Sequence, residues 1–583
     1  MSGNYRPRRR HGRPAGKGSS AQAGAGGAGG AGGAAAGTAG GGTRATARRA
    51  KSPRPADPRR TAYDVLQAVR DREAYANLLL PKLLADRGLT GRDAALATEL
   101  AYGTLRGQGT YDAVLAACSD RPLDKLDPPV LDVLRLGAHQ LLSTRIGAHA
   151  AVATSVDLAK SVIGPRVSGY VNAVLRRVAT RDLAAWLDIV APDQAADEDG
   201  NLATRYSHPR WIVAAYREAL GDAAGGPPQM AVTAAPPDGA ETPGPSIAAP
   251  AANASGAGEV TRASEGEPGG GAAVTELEAA LAAGNARPRV TMAAFPAGPP
   301  REAVMPADAV PGRWSPYAFT LRSGDPAALI ESGAAAVQDE GSQLAAIALS
   351  RAPVTPPAGQ DDGQAERWLD LCAGPGGKSR LLYGLAQAPR ATLTAVELHP
   401  HRAELVRDAL TRASGLASAR PAPGEPAGGE ATEGLPGTEF EVVVADGTRP
   451  PWPGASFDRV LVDVPCSGLG ALRRRPEARW RKSEADLKDL TALQRDLLRS
   501  ALESVRPGGV VAYVTCSPVQ AETSDVVSAV VASMPGVAVL DAPAVLAGVP
   551  GTRATDPRFA QLWPHRHGTD AIFIALLRRA AAG

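Results

Sequence analysis

The chain has 583 residues, 44% of them hydrophobic and 21% charged, with a formal net charge of +3 at pH 7. That length implies several domains, while 65 glycines and 50 prolines imply long stretches outside any packed core, so a single compact domain does not fit. Four cysteines, Cys118, Cys372, Cys466 and Cys516, include no CxxC pair, and no N-terminal run is apolar enough for a signal peptide or a membrane span, which disfavours a disulfide scaffold, a structural zinc site and a membrane protein.

A soluble cytoplasmic protein is expected, with its thiols free for packing or for chemistry. In chain order, residues 1 to 60 hold thirteen lysines and arginines against Asp57 alone, which leaves the rest of the chain net acidic. The Gly/Ala-rich middle, AGAGGAGGAGGAAAG, buries too little apolar surface to offset its ordering entropy. A disordered basic arm is expected, either suited to phosphate backbones or a solubilising extension with no dedicated partner. From 61 to 190 apolar residues recur at three- and four-residue spacing, as in TAYDVLQAVRDREAYANLLLPKLLADRG, without strand-like alternation, which predicts a small all-α domain. RYSHPRWIVAAYREALG adds a connecting helix within 191 to 221. The Pro/Gly/Ala-rich stretch 222 to 275 reads as a linker or disordered insertion, and 276 to 335 as a small α/β connecting piece with short strands.

From 336 to 583 short β-branched runs alternate with helical patterns. RWLDLCA, ATLTAVEL, FEVVVAD, FDRVLVDVP and VVAYVTCS read as buried strands, separated by helices such as SRLLYGLAQ and HRAELVRDALTRA. The grammar predicts a Rossmann-like α/β domain with a mostly parallel sheet. GVAVLDA and DAIFIALLRR supply two further strands that pair antiparallel at one edge, and 415 to 437 interrupts a crossover as a surface loop.

The first of these strands runs into DLCAGPGGKS, where Gly374, Gly376 and Gly377 let backbone approach a ligand. Glu397 closes the second strand, at a spacing that suits a carboxylate accepting from both hydroxyls of a ribose. Asp446 closes the third, beside the place of an adenine, and Asp463 the fourth. A phosphate-loop reading of Gly-Lys-Ser fails because its first glycine would fall on Cys372. A nicotinamide site also suits a glycine turn, but hydride transfer has no use for thiols. Cys466 and Cys516 both fall just past strand ends on the rim that carries the acids, whereas Cys118 and Cys372 read as core cysteines.

DVPCSGLGALRRRPEARW and YVTCSPVQAET, with LDLCAGPGGK upstream, resemble the signature blocks of the Sun (Fmu) family of RNA cytosine-5 methyltransferases. VQDEGSQLAA and a helical domain similar to the RNA-binding NusB domain narrow the resemblance to the bacterial 16S rRNA methyltransferases of the RsmB type. Val464 and Thr523 depart from the family's usual Ala and Asn, and neither touches a thiol. The resemblance implies S-adenosyl-L-methionine held by Cys372, Ala373, Gly374, Pro375, Gly376, Gly377 and Lys378 with Glu397, Asp446 and Asp463. It implies Cys516 as nucleophile, Cys466 as the residue assisting product release, and Asp463 beside the cytosine ring. A thiol is needed because carbon 5 of cytosine is a poor nucleophile until a thiolate adds to carbon 6. A flipped-out base in 16S rRNA, free or within an assembling small subunit, is the expected substrate, and a monomer the expected state. Arg473, Arg474, Arg475, Arg479, Arg481 and Lys482, beside Trp480, read as a phosphate-binding and stacking surface, against the plain reading of a solvated charge run. The same chemistry on tRNA, or a non-catalytic RNA-binding assembly factor, stands as the alternative.

Overall fold

A computed structural model of the chain describes residues 57–221, 274–356, 365–418 and 439–581. Residues 1–56 of the basic arm, 222–273 of the insertion and 419–437 of the loop lie outside the described residues, while Pro58–Arg60, counted with the arm from the sequence, belong to the first helix, and 415–418 end helix Pro400–Ser418.

Eight α-helices lie between Pro58 and Val190. The first, Pro58–Arg72, starts where Asp57 accepts from Arg59 N at 2.9 Å and Pro58 takes the first helical position, where a missing N–H costs nothing. The apolar spacing read from the sequence becomes one core built on Leu66, Leu100, Tyr111, Leu134, Val171 and Leu175. Tyr111 is the polar exception, and its hydroxyl is satisfied by His139 Nδ1 and Ser143 Oγ, both at 2.8 Å.

Helices Glu198–Arg205 and Arg210–Leu220 follow, so the connecting region holds two helices. With Glu276–Asn285, opened by a Thr275/Glu278 capping box, they bury Leu202, Ile212, Tyr216 and Leu281 against Leu469, Leu472 and Trp563 of the C-terminal region. A small antiparallel sheet comes next, ordered Val310–Pro311, Ala318–Leu321, Val290–Ala294, Ala335–Val337.

The C-terminal sheet runs Val537–Leu540, Phe573–Arg579, Val505–Thr515, Phe457–Asp463, Arg367–Asp370, Thr392–Glu397, Phe440–Val444. The last five are mutually parallel. Phe573–Arg579 is antiparallel to both of its neighbours, so the antiparallel strand lies one place in from the edge. Along Phe457–Asp463, Leu461 joins one hydrophobic cluster while Val460 and Val462 join another, and all three are fully buried. Burial on both faces is why these strands read as unbroken apolar runs. The chain builds outward from Arg367–Asp370 to Phe440–Val444, then returns to place Phe457–Asp463 on the other side of the first strand. That reversal opens a crevice at the carboxyl ends of Arg367–Asp370 and Phe457–Asp463, the place where open α/β sheets bind ligands.

Candidate active site at the carboxyl rim of the sheet

The glycine turn follows Asp370 and leads into helix Gly377–Ala386. Gly376 has φ 101°, a left-handed conformation that glycine adopts without strain. Gly374 is required by crowding: a Cβ there would sit 2.1 Å from Glu397 Oε2. Glu397, 5% exposed, accepts from His399 N at 3.0 Å, and Arg402 Nη2 reaches both its Oε2 (3.4 Å) and Gly374 O (2.6 Å). Arg402 thus ties the ends of two strands together. Asp446 is exposed, and the Thr448 amide and hydroxyl, at 2.9 and 2.8 Å, hold its carboxyl below the usual range. Cys372 packs behind the turn, where burial pushes its thiol well up. Beneath it Asp370 accepts from Ser379 Oγ at 2.7 Å, and burial raises its carboxyl to about 7.

The two rim thiols face each other. Cys466 Sγ lies 3.3 Å from Cys516 Sγ, both unbridged. Lys378, at the start of the helix, donates to Asp463 Oδ2 at 2.6 Å, and the carboxylate keeps its ammonium charged against burial. Cys516 is held below the ordinary thiol value by the hydrogen bond from Cys466 and by Lys378, against burial and the charges of Asp463 and Asp570. Cys466 is pushed well above it by the same hydrogen bond and by burial. The two shifts run in opposite directions, so the pair favours a proton on Cys466 over one on Cys516.

Sequence reasoning passed over Glu522, which is fully buried. It accepts from Ser467 N (2.7 Å), Ser467 Oγ (2.5 Å), Ser517 Oγ (2.6 Å) and Gln494 Nε2 (3.1 Å). Those serines directly follow the two cysteines. A glutamate six positions after Cys516, with serines flanking both thiols, was the available signal.

Residues 360–419 and 429–578 match the family model described as 16S rRNA methyltransferase RsmB/F, and 56–180 match that of the NusB family. A protein of Mycobacterium tuberculosis described only as a methyltransferase is 45% identical over 541 residues, spanning 91% of this chain and 99% of its own. Ribosomal RNA small subunit methyltransferase B of Pseudomonas syringae pv. tomato is 30% identical over 537 residues, spanning 90% of this chain and 98% of its own. The chain belongs to the RsmB/F methyltransferase family. Its fold is also that of the crystal structure titled PH0851, with a TM-score of 0.63 at 20% identity over 90% of this chain and 99% of that one.

RsmB/F proteins are S-adenosylmethionine-dependent RNA methyltransferases, and the crevice fits that donor. Glu397 is an acceptor placed against a glycine that leaves no side chain in the way, and Asp446 stands exposed just past the end of the next strand. At the turn a donor and an acceptor are left over: Gln338 Nε2 and Asp370 Oδ1 are buried without a partner. Among the described residues no group of three His, Cys, Asp or Glu side chains is placed to hold a metal ion. No described helix is long and apolar enough to cross a membrane.

The arginine run of this RsmB/F methyltransferase, read from the sequence as an RNA surface, largely turns inward. Arg473 bonds Asp339 and Asp570 at 3.3 and 3.2 Å, and Arg474 pairs with Asp570. Arg475 lies over the Tyr75 ring, 5.1 Å from its centroid. Arg479 is fully buried and donates to Ser207 O (2.9 Å) and Asn285 Oδ1 (2.7 Å). Trp480 packs so closely on Gly109 that a Cβ there would meet its ring at 2.6 Å. Arg481 bonds Val69 O at 3.3 Å and Ala74 O. The turn after Gly468 sends the segment inward, against carbonyls and rings of the helical region, so the run forms an internal seam.

Proposed function

We propose that this chain forms 5-methylcytosine in 16S ribosomal RNA, with Cys516 bonding covalently to the target base. The observation that carries this reading is the 3.3 Å thiol pair at the rim, with Lys378 and Asp463 beside it and the donor crevice adjoining. The relatives named as ribosomal RNA small subunit methyltransferase B support the choice of RNA, and a ribosomal RNA substrate favours a cytoplasmic site of action.

The Cys516 thiolate adds its electron pair to carbon 6 of cytosine and makes carbon 5 an enamine carbon. S-adenosylmethionine, when bound, supplies an electrophilic methyl group to that carbon. Asp463, anchored by Lys378, hydrogen-bonds the ring and steadies the adduct. A base then takes the proton from carbon 5, the double bond re-forms and the Cys516 thiolate leaves; Cys466, in contact with the departing sulfur, assists that step.

The two cysteines should fail differently. Cys466→Ala should accumulate a protein–RNA adduct that survives boiling in detergent, and Cys516→Ala should neither methylate nor trap RNA. An adduct in Cys516→Ala exchanges the roles, and an active Cys516→Ala with no adduct in either variant defeats covalent catalysis by this pair. Bisulfite sequencing of RNA from a deletion strain reads the target: a lost mark in tRNA instead of 16S rRNA overturns the substrate.

A further inference from the structure

Two thiols with their sulfurs 3.3 Å apart can hydrogen-bond in either direction, and something has to decide which of them gives up its proton first. We infer that Glu522 makes that decision: its buried carboxylate clamps the two cysteine turns together and holds the proton on Cys466, leaving Cys516 as the thiolate. The inference rests on the assignment of Cys516 as nucleophile.

The geometry is specific. Four neutral donors converge on the two oxygens of Glu522, so its pocket is built for an acceptor-only group, the ionised carboxylate. Its grip on the two turns is unequal. Ser467, next to Cys466, gives both its backbone N–H and its hydroxyl, whereas Ser517, next to Cys516, gives only its hydroxyl. Gln494 adds a second tie to the Cys466 turn, donating to both Glu522 and Pro465 O. The Tyr513 hydroxyl, which donates to Glu522 O at 2.7 Å, fixes the backbone that carries the carboxylate. A negative charge on this side disfavours a second one on Cys466.

The other charges around the pair act in both directions. Lys378 favours charge on Cys516, while Asp463 acts against charge on both sulfurs and Asp570 against charge on Cys516. Arg474, paired to Asp570, also feels the charge of Cys516. Glu522 is among the charges that raise Cys466. Glu522 touches neither base nor donor in this scheme, which makes it a positioning residue.

The test is site-resolved alkylation of the full-length protein with iodoacetamide across pH, the two cysteine peptides being quantified by mass spectrometry. Wild type should alkylate Cys516 at least about tenfold faster than Cys466 near neutral pH, because a tenfold rate ratio corresponds to roughly one unit between the thiols. In Glu522→Gln, whose amide turns a donor toward donors, the ratio should fall by about tenfold, and Glu522→Asp should recover part of it. Ser467→Ala, which removes one bond from the clamp, should lower the ratio by about threefold and serves if Glu522→Gln does not fold. A wild-type ratio in folded Glu522→Gln, or in Ser467→Ala, overturns the inference. A collapsed ratio with no RNA trapped by Cys466→Ala instead overturns the covalent route and leaves the role of Glu522 standing.

Discussion

Arg479 donates to the side-chain oxygen of Asn285 at 2.7 Å in a place closed to solvent, and burial lowers its guanidinium to about 9. A charge so placed is tolerated because Ser207 O, Gly284 O and Asn285 Oδ1 surround it. Arg479→Ala strands those acceptors, and a loss of about 3 kcal/mol is expected from urea unfolding, with faster proteolysis at the seam. Arg479→Lys should recover only part, since an ammonium lacks the planar fork. A wild-type midpoint in Arg479→Ala would show that the seam contributes nothing.

Lys378 acts on Cys516 through charge. It is one of the two influences that lower Cys516, so Lys378→Met should raise that thiol and move the rising limb of the single-turnover pH profile to higher pH. Activity lost at neutral pH, about tenfold for a one-unit shift, should return as pH rises. A uniform loss at every pH would assign Lys378 a purely structural part.

Gly374 and Glu397 are expected to act as one binding device. Gly374→Ala puts a methyl group where Glu397 Oε2 lies, and Glu397→Ala removes the acceptor itself. Each should weaken S-adenosylmethionine binding by about 1–3 kcal/mol in calorimetry. Unchanged affinity in folded Glu397→Ala would remove that carboxylate from the site.

Asp370 gives a stability signature with a definite sign. Its carboxyl is raised from the ordinary 3.8 to about 7, so the folded chain keeps a proton that the unfolded chain loses. Stability from this group is greatest below about pH 4 and falls as pH rises to about 7, by roughly 2–4 kcal/mol. Asp370→Asn, neutral throughout, should flatten that slope and melt higher than wild type at pH 8. Parallel melting curves for the two proteins would refute it.

Much of the sheet was legible because strands buried on both faces need unbroken β-branched runs, as in Val460–Val462. The rim cysteines were legible for the related reason that strand ends in such a sheet open on a crevice. The arginine run was not. Six cations in ten residues look solvated on paper, and nothing in the sequence reveals that Ser207, Gly284 and Asn285 return from far upstream to meet one of them. Glu522 escaped notice for the converse reason: an acid in a short turn reads as surface until the serines of two separate turns close over it.

The partners of Arg479 reach back as far as Arg106 O, 373 positions earlier in the chain, and so bear on how such a protein can be rearranged. Its helical and catalytic parts are not interchangeable modules. A truncated version starting at the C-terminal sheet would expose Leu469, Leu472 and Trp563 and leave a bare guanidinium beside the loop of Cys466. A chimaera between relatives would have to transplant the stretches around 106, 207, 285 and 479 together. Recombination within a gene of this kind should therefore be rejected between those four stretches.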